Sequence, residues 1–403
     1  MKTHREIAEQ LDLFHSEPEG PGMIFWHPNG WRLFQKVQNH MRQVYVRSGF
    51  QEINTPLFLK KELWKTSGHL EKFAGNMFMG GDAHSPGEYA LKPMSCPAHI
   101  LFYKRGVYSY RDLPLRIFEF GTVHRNEPSG SLNGCLRLRQ FTQDDAHVFC
   151  EWSQAEEEIL GFLRRAKQVY GDYGYQAMQV KLSTKPEDCF GEPAGWNRAE
   201  AILADACRAA GYEFDYQVGE GAFYGPKIEL SLKDAMGREW QCGTIQLDFN
   251  LPERFDISYV RQDQQYDRPV ILHQAMYGSI ERWIGILLES HQGKLPAWVH
   301  PLPVAIATTN NQVHGYAQEV EWLIHEAEIP VLMDLSDNTV SRKIKRFHYL
   351  RVPYMLVIGD REFRNRSVSL RRSGVKEYQS IPFDQLPSAL DPGLASPNDG
   401  RQF

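Results

Sequence analysis

The chain has 403 residues, of which 42% are hydrophobic and 24% charged, and a formal charge of −5. This supports two or three globular domains and excludes a surface that is basic throughout, so any nucleic-acid partner needs a local basic patch. No run approaches the roughly 20 apolar residues of a membrane helix, and the charged start "MKTHREIAEQLDLF" is neither a signal nor a transit peptide.

Six cysteines without a Cys-x-x-Cys pair suit a reducing compartment. The expected location is the cytoplasm, with no membrane association.

In chain order, residues 31–48 read as an amphipathic helix, with Leu33, Phe34, Val37, Met41, Val44 and Tyr45 at helical spacing. Gly49 ends it, and "FQEINTPLFL" follows as a strand broken at Pro56. In "ALKPMSCPAHI", Cys96 and His99 form a Cys-x-x-His, half of many zinc motifs. Read alone, Cys96 is a metal ligand, a nucleophile or a buried small hydrophobe, and of these the buried structural thiol is preferred.

Residues 116–149 alternate, pass through the turn-rich "PSGSLNG" and alternate again, which predicts a long β-hairpin. If its second arm is unbroken, Arg137, Arg139, Phe141, Gln143, Asp145 and His147 share one face. In the first arm Glu119, Arg125 and Glu127 take the odd positions. Such a face is either a solvated surface or a binding floor, and its arginines suit polyphosphate.

"KIELSLKD" and "EWQCGTIQLDF" predict a second strand pair split near "AMGR", and residues 278–290 a helix. The first part is therefore expected to be an α/β domain on an antiparallel sheet flanked by helices. The proline-bearing "GKLPAWVHPLP" marks a boundary. Beyond it, strands and helices alternate, which predicts a smaller α/β domain with a mostly parallel sheet. The expected domains are 1–298 and 299–386, with a disordered tail over 387–403.

"FGTVHRNEPSGSL" with "RQFTQDDAHVF" resembles motif 2 of the class II aminoacyl-tRNA synthetases. "YGSIERWIGIL" resembles motif 3, and the helix and strand ending at Pro56 resemble motif 1. "DLPLR", "KLSTKPE", "GEGAFYGPKIE", "QCGTIQLDF" and "RVPYMLV" follow the threonyl-tRNA synthetase family in style and order. The resemblance runs from about residue 3 to about residue 375. It implies a class II catalytic domain followed by an anticodon-binding domain.

The implied activity is threonine–tRNA ligation, in which L-threonine and ATP give threonyl-adenylate and pyrophosphate, and tRNA(Thr) then accepts the threonine. Implied with it are one Zn²⁺ per subunit, Mg²⁺ with ATP, and a homodimer built through motif 1. The chain starts just before the core-like segment, so the resemblance implies a form without the amino-terminal editing domains of most bacterial members.

Residue by residue, the resemblance makes Cys96, His147 and His273 the zinc ligands and leaves His99 out. Gln143, Asp145, Tyr224 and Gln246 match amino-acid contacts. Arg125 matches the α-phosphate arginine, Glu127 a residue near adenine or its metal, and Phe141 the ring stacked on adenine. Arg137 and Gln241 match further nucleotide contacts, and Arg282 the motif 3 arginine at the γ-phosphate. His69 matches a proposed base for transfer to tRNA, although Leu70 replaces a tryptophan there and a surface histidine fits equally. Glu362 and Arg371 match anticodon readers. Arg342, Lys343, Lys345, Arg346 and Arg372 supply positive charge for tRNA, or form a solvated basic helix.

The sequence departs from the family pattern at Ser95, Ala98, Asn133, Gln140, Gln274 and Asp337. These changes motivate a second function, a paralogue for inhibitor resistance or for loading another acceptor. A non-catalytic tRNA-binding regulator is a third, opposed by the presence of both Arg125 and Arg282.

Overall fold

The structure is a computed structural model that describes residues 1–81, 86–233 and 237–398. It has two compact units. The larger is formed by Ser16–Ile24 and Gln38–Ile286, the smaller by Met1–His15, Phe25–Val37 and residues 287–398. The expected division at 298/299 therefore misses the start of the chain. Helix α1 (His4–Leu11) is capped by Thr3 and fixed by Glu289, which accepts from the His4 backbone at 3.0 Å and bonds its ring at 2.7 Å.

Helix α2 (Pro28–Arg47) begins at a proline, whose missing N–H costs nothing in a first turn, and stops before Gly49 at φ +80°. Its six apolar positions at helical spacing are all buried. Next come β1 (Gln51–Glu52), α3 (Cys96–Lys104), β2 (Leu115–His124), β3 (Gln140–Cys150) and α4 (Ala155–Asp172). They are followed by β4 (Gln179–Ser183), α5 (Pro193–Ala209), β5 (Asp215–Gln217), β6 (Lys227–Lys233), β7 (Glu239–Asp248), β8 (Val270–Ser279) and α6 (Ile280–His291). Ala235 and Met236, in the turn expected near "AMGR", lie outside the described residues.

The large sheet has eight strands in the order β5-β4-β6-β7-β8-β3-β2-β1. Its inner pairs are antiparallel, but β5 with β4 and β1 with β2 are parallel, so the expected antiparallel sheet is mixed at both edges. Each edge strand is reached through a long connection rather than a hairpin, which permits parallel pairing.

In the smaller unit, β9 (Val304–Thr308), α7 (His314–Glu326), β10 (Val331–Asp334), α8 (Val340–Tyr349), β11 (Tyr354–Ile358), β12 (Ser367–Arg372), β13 (Gln379–Pro382) and α9 (Leu386–Leu394) follow. The sheet order is β10-β9-β11-β12-β13. The first three strands are parallel and the rest antiparallel, so this sheet is mixed rather than mostly parallel.

Helix α9 occupies the start of the expected disordered tail. Leu386 and Leu390, one helical turn apart, are buried in the core of the smaller unit, which is why the segment is ordered. Residues 399–403 of that tail lie outside the described residues.

Candidate functional site

Strand register assembles the site. His273 on β8 pairs directly with His147 on β3, and Ala275 with Asp145. On the other side of β8, Gln246 pairs with His273 and Thr244 with Ala275. Side chains alternate along a strand, so Gln143, Asp145 and His147 share the face carrying His273, Thr244 and Gln246. A cavity of about 260 Å³ stands on this face, walled also by Met94, Cys96, Arg125 and Tyr224.

Cys96 is the first residue of α3. Its sulfur and one ring nitrogen each of His147 and His273 lie within 4.8 Å of one another, and all three residues are buried. His147 Nε2 is 2.9 Å from His273 Nδ1, while His273 Nε2 is 2.9 Å from Asp248 Oδ2. The carboxylate thus fixes the second histidine with Nδ1 facing the first. Two nitrogens on one tetrahedral zinc lie roughly 3.3 Å apart, close to the observed separation. Burial pushes the Cys96 thiol well above its ordinary value, aided by Asp145 and Asp248. Burial, with His99 and His273, holds His147 well below its own. One thiol and two neutral imidazoles, braced by a carboxylate, fit a borderline-soft divalent cation that would draw off the thiol proton.

The polar wall is braced as well. Tyr224 donates its hydroxyl to Gln246 Oε1 at 2.5 Å, and the Ser95 backbone N–H points at Asp145 Oδ2 at 3.3 Å. Burial raises Asp145 above the usual carboxylate range. Arg125 follows β2, donates from Nε to the Pro93 carbonyl at 3.2 Å and lies over the Phe141 ring at 5.2 Å. Burial, then the nearby Arg282, lowers it from the usual guanidinium value. Arg282 donates from Nε to the Leu136 carbonyl at 3.1 Å and lies in the first turns of α6. Two half-buried guanidiniums held by carbonyls rather than carboxylates keep their charge for an anionic ligand.

The other expected residues are placed less uniformly. Strand β3 begins at Gln140, so Arg137 and Arg139 lie in the preceding turn, where Leu136 and Leu138 are buried and the arginines bind Glu127. Gln241 is exposed and donates to Glu229 Oε1 at 2.9 Å, away from the cavity lining. His69 is buried, so it is no surface histidine. Its ring bonds Ser67 Oγ at 2.8 Å and meets Met94 Sδ at 3.2 Å, behind the wall formed by Phe223 and Tyr224. Burial, then His273 and Arg125, lowers its pKa to about 3.

In the smaller unit Glu362 is buried, accepting from the Gly359 backbone at 3.1 Å and Ser369 Oγ at 2.9 Å. Arg371 follows Ser369 on the same face of β12. Lys343 is buried and donates to the Thr308 carbonyl at 2.9 Å, which removes it from the expected basic surface.

Sequence reasoning missed Asp248 and Lys92. Asp248 could have been found by counting on from Thr244 and Gln246, since it is the next residue on that face of β7. Lys92 lies outside any periodic segment, yet it is fully buried against Glu119 at 2.5 Å.

Comparison with known proteins then decides the family. Residues 82–291 match the tRNA synthetase class II core domain (G, H, P, S and T), and residues 303–391 the anticodon binding domain. A crystal structure of the RNA binding domain of threonyl-tRNA synthetase from Cryptosporidium parvum superposes with a TM-score of 0.94 at 39% identity, covering 97% of this chain and 98% of that one. The chain belongs to the threonyl-tRNA synthetase family of class II. Threonine–tRNA ligases of this family from Thiobacillus denitrificans and Acinetobacter baumannii are 46% and 48% identical over 96% and 95% of this chain. The chain spans 61% and 60% of the length of these two threonyl-tRNA synthetase family members.

Proposed function

We propose that this chain is a cytoplasmic threonine–tRNA ligase acting as a homodimer. The observation that carries the reading is one cavity lined by Cys96, His273, Asp145 and the Tyr224–Gln246 pair beside Arg125, with His147 clustered against Cys96 and His273. Cys96, His147 and His273 would hold a zinc ion, whose open positions would take the amino and hydroxyl groups of threonine. Asp145 and Gln143 line the same cavity and face the amino acid. A site built to bond a hydroxyl rejects a side chain that lacks it, which separates threonine from valine.

ATP lies across Phe141 and binds with Mg²⁺. The threonine carboxylate oxygen attacks the α-phosphorus, the bond to the bridging oxygen breaks, and pyrophosphate leaves. Arg125 holds the α-phosphate oxygens as charge develops, and Arg282 orients the departing end. Glu127, held by Arg137, borders the nucleotide. A hydroxyl of the terminal adenosine of tRNA(Thr) then attacks the carbonyl carbon and AMP leaves. His69 is kept neutral behind the wall and acts by positioning Met94 and Tyr224. Arg371 and the exposed basic residues of α8 contact the anticodon arm, with Glu362 setting the Ser369–Arg371 face.

The homodimer reading rests on motif 1. Strand β1 is an edge strand, and Val46, Leu57 and Phe58 around it are 54%, 43% and 46% exposed. Such a cluster suits a self-complementary interface.

Amino-acid-dependent ATP–pyrophosphate exchange, followed by charging of tRNA, tests the reading. Threonine alone should support strong exchange and charging. Absence of threonine-dependent exchange would refute it. Exchange without charging would favour the paralogue, for which one observation speaks. Ser95 Oγ and Gln274 Nε2, both at departures from the family pattern, are buried without a partner among the described residues.

A further inference from the structure

A second cavity, of about 270 Å³, lies between the end of α2, the start of β2 and α4. Among its lining residues are three arginines, Arg116, Arg164 and Arg165, against two glutamates, Glu157 and Glu158. Arg116 is spent on Glu158, with Nε 2.9 Å from Oε2, and Arg164 on Glu157 at 2.8 Å. That leaves Arg165 without an ion pair among the described residues. Its contacts are neutral: Nη2 donates to Gln274 Oε1 at 3.3 Å, and the guanidinium lies over the Phe50 ring at 5.4 Å. Its Nε is buried and finds no partner among the described residues. A half-buried cation with a buried, idle donor and no ion pair among the described residues is costly unless an anion supplies both.

The helix itself is shaped around this group. Gly161 sits inside α4, four residues before Arg165. Glycine is the poorest helix former after proline, so its presence there needs a reason. A Cβ on Gly161 would lie 3.1 Å from Arg165 Nη1. The glycine lets the guanidinium fold back along the helix and reach the cavity. This is a placed cation rather than a stray surface arginine.

We propose that this cavity binds a phosphate-class oxyanion, with Arg165 as the principal ligand and Arg164 at the rim. The idle Nε and the adjacent Nη2 of Arg165, held only by Gln274 Oε1 at 3.3 Å, form a fork that takes two oxygens of one anion. The remaining oxygens of a tetrahedral anion face the rim, where a planar carboxylate would offer nothing. The site is distinct from the ATP region. It lies on the opposite sheet face, since Gln274 alternates with His273 and Ala275 along β8.

Isothermal titration of the full chain with inorganic phosphate, in chloride buffer of constant ionic strength, tests this. The expected result is one phosphate per chain, with Kd about 1 mM or tighter, that Arg165→Gln loses and Arg125→Ala keeps. Gln274→Glu guards against a folding artefact, because it gives Arg165 an internal carboxylate. It should keep or raise the melting temperature and also lose that phosphate. Phosphate binding that is unchanged in Arg165→Gln, or lost only with Arg125→Ala, would overturn the proposal. So would a wild-type chain that binds no phosphate here while Arg165→Gln dissociates the dimer in sedimentation, since a carboxylate of a second copy would then fill the site.

Discussion

Glu119 shows what the hairpin face costs and how that cost is offset. It is 1% exposed, as is Lys92, its partner at 2.5 Å, and the Thr55 backbone N–H donates to it at 2.8 Å. Burial alone would raise this carboxyl. His99, 3.6 Å away, and Lys92 outweigh burial and lower it from 4.5 to about 2. A folded value below the unfolded one stabilises the protein above pH 4.5, and that stability is lost as pH falls towards 2. The difference corresponds to about 3 kcal/mol. Glu119→Gln should therefore flatten the loss of stability between pH 4.5 and 2 in urea titrations, and an unchanged acid limb would contradict the assignment. Lys92→Met removes the nearest cation from a buried carboxylate and should cost about 3–5 kcal/mol. Adding Glu119→Gln to Lys92→Met should restore most of it, as a double-mutant cycle would measure. At the metal cluster, Cys96→Ser should lose bound zinc and threonine activation together, with the melting temperature little changed. Zinc content equal to wild type by plasma mass spectrometry would remove Cys96 from the ligand set.

At the scale of elements, the face of the hairpin was legible because strand alternation is strict. Gln143, Asp145 and His147 could be assigned to one side by counting. The join between β3 and β8 could not, because register between distant strands leaves no local trace. Only the fold pairs His273 with His147. The start of β3 was misplaced for a similar reason: Leu136 and Leu138 continue the alternation, but they are buried in a turn before the ladder begins. Asp144, on the reverse face, ties the elements together. It accepts N–H groups from Met276 at 2.7 Å, Tyr277 at 3.1 Å and Gly278 at 3.0 Å, where the β3–β8 register shifts. That shift sets Ser279 opposite Gln143 and starts α6, which carries Arg282. Asp144→Asn replaces an acceptor-only group with one that presents donors to donors. It should cost about 2–3 kcal/mol by denaturant unfolding and weaken ATP more than threonine in exchange assays. Equal losses for both substrates would mean that Asp144 acts on stability alone.

At the scale of the whole molecule, the two-part division could be read from the switch in strand pattern, but the ends of the chain could not. A short segment rich in proline and glycine, "PSALDPGLASP", has the composition of a tail. What orders it is tertiary: Leu386 and Leu390 project from one side of α9 into the core of the smaller unit, beside Ile381 and Tyr354. Gly393 approaches so closely that a Cβ there would collide with the Tyr354 hydroxyl. Composition measures the average polarity of a segment, whereas docking depends on two leucines at the right spacing. Leu390→Ala should therefore destabilise the smaller unit by about 2–4 kcal/mol, the range for a buried leucine. Calorimetry should show this as a lowered transition for that unit, with the zinc content and the threonine-dependent exchange of the larger unit retained. If Leu390→Ala leaves the calorimetric trace unchanged, α9 is not part of the core and the tail reading from composition stands.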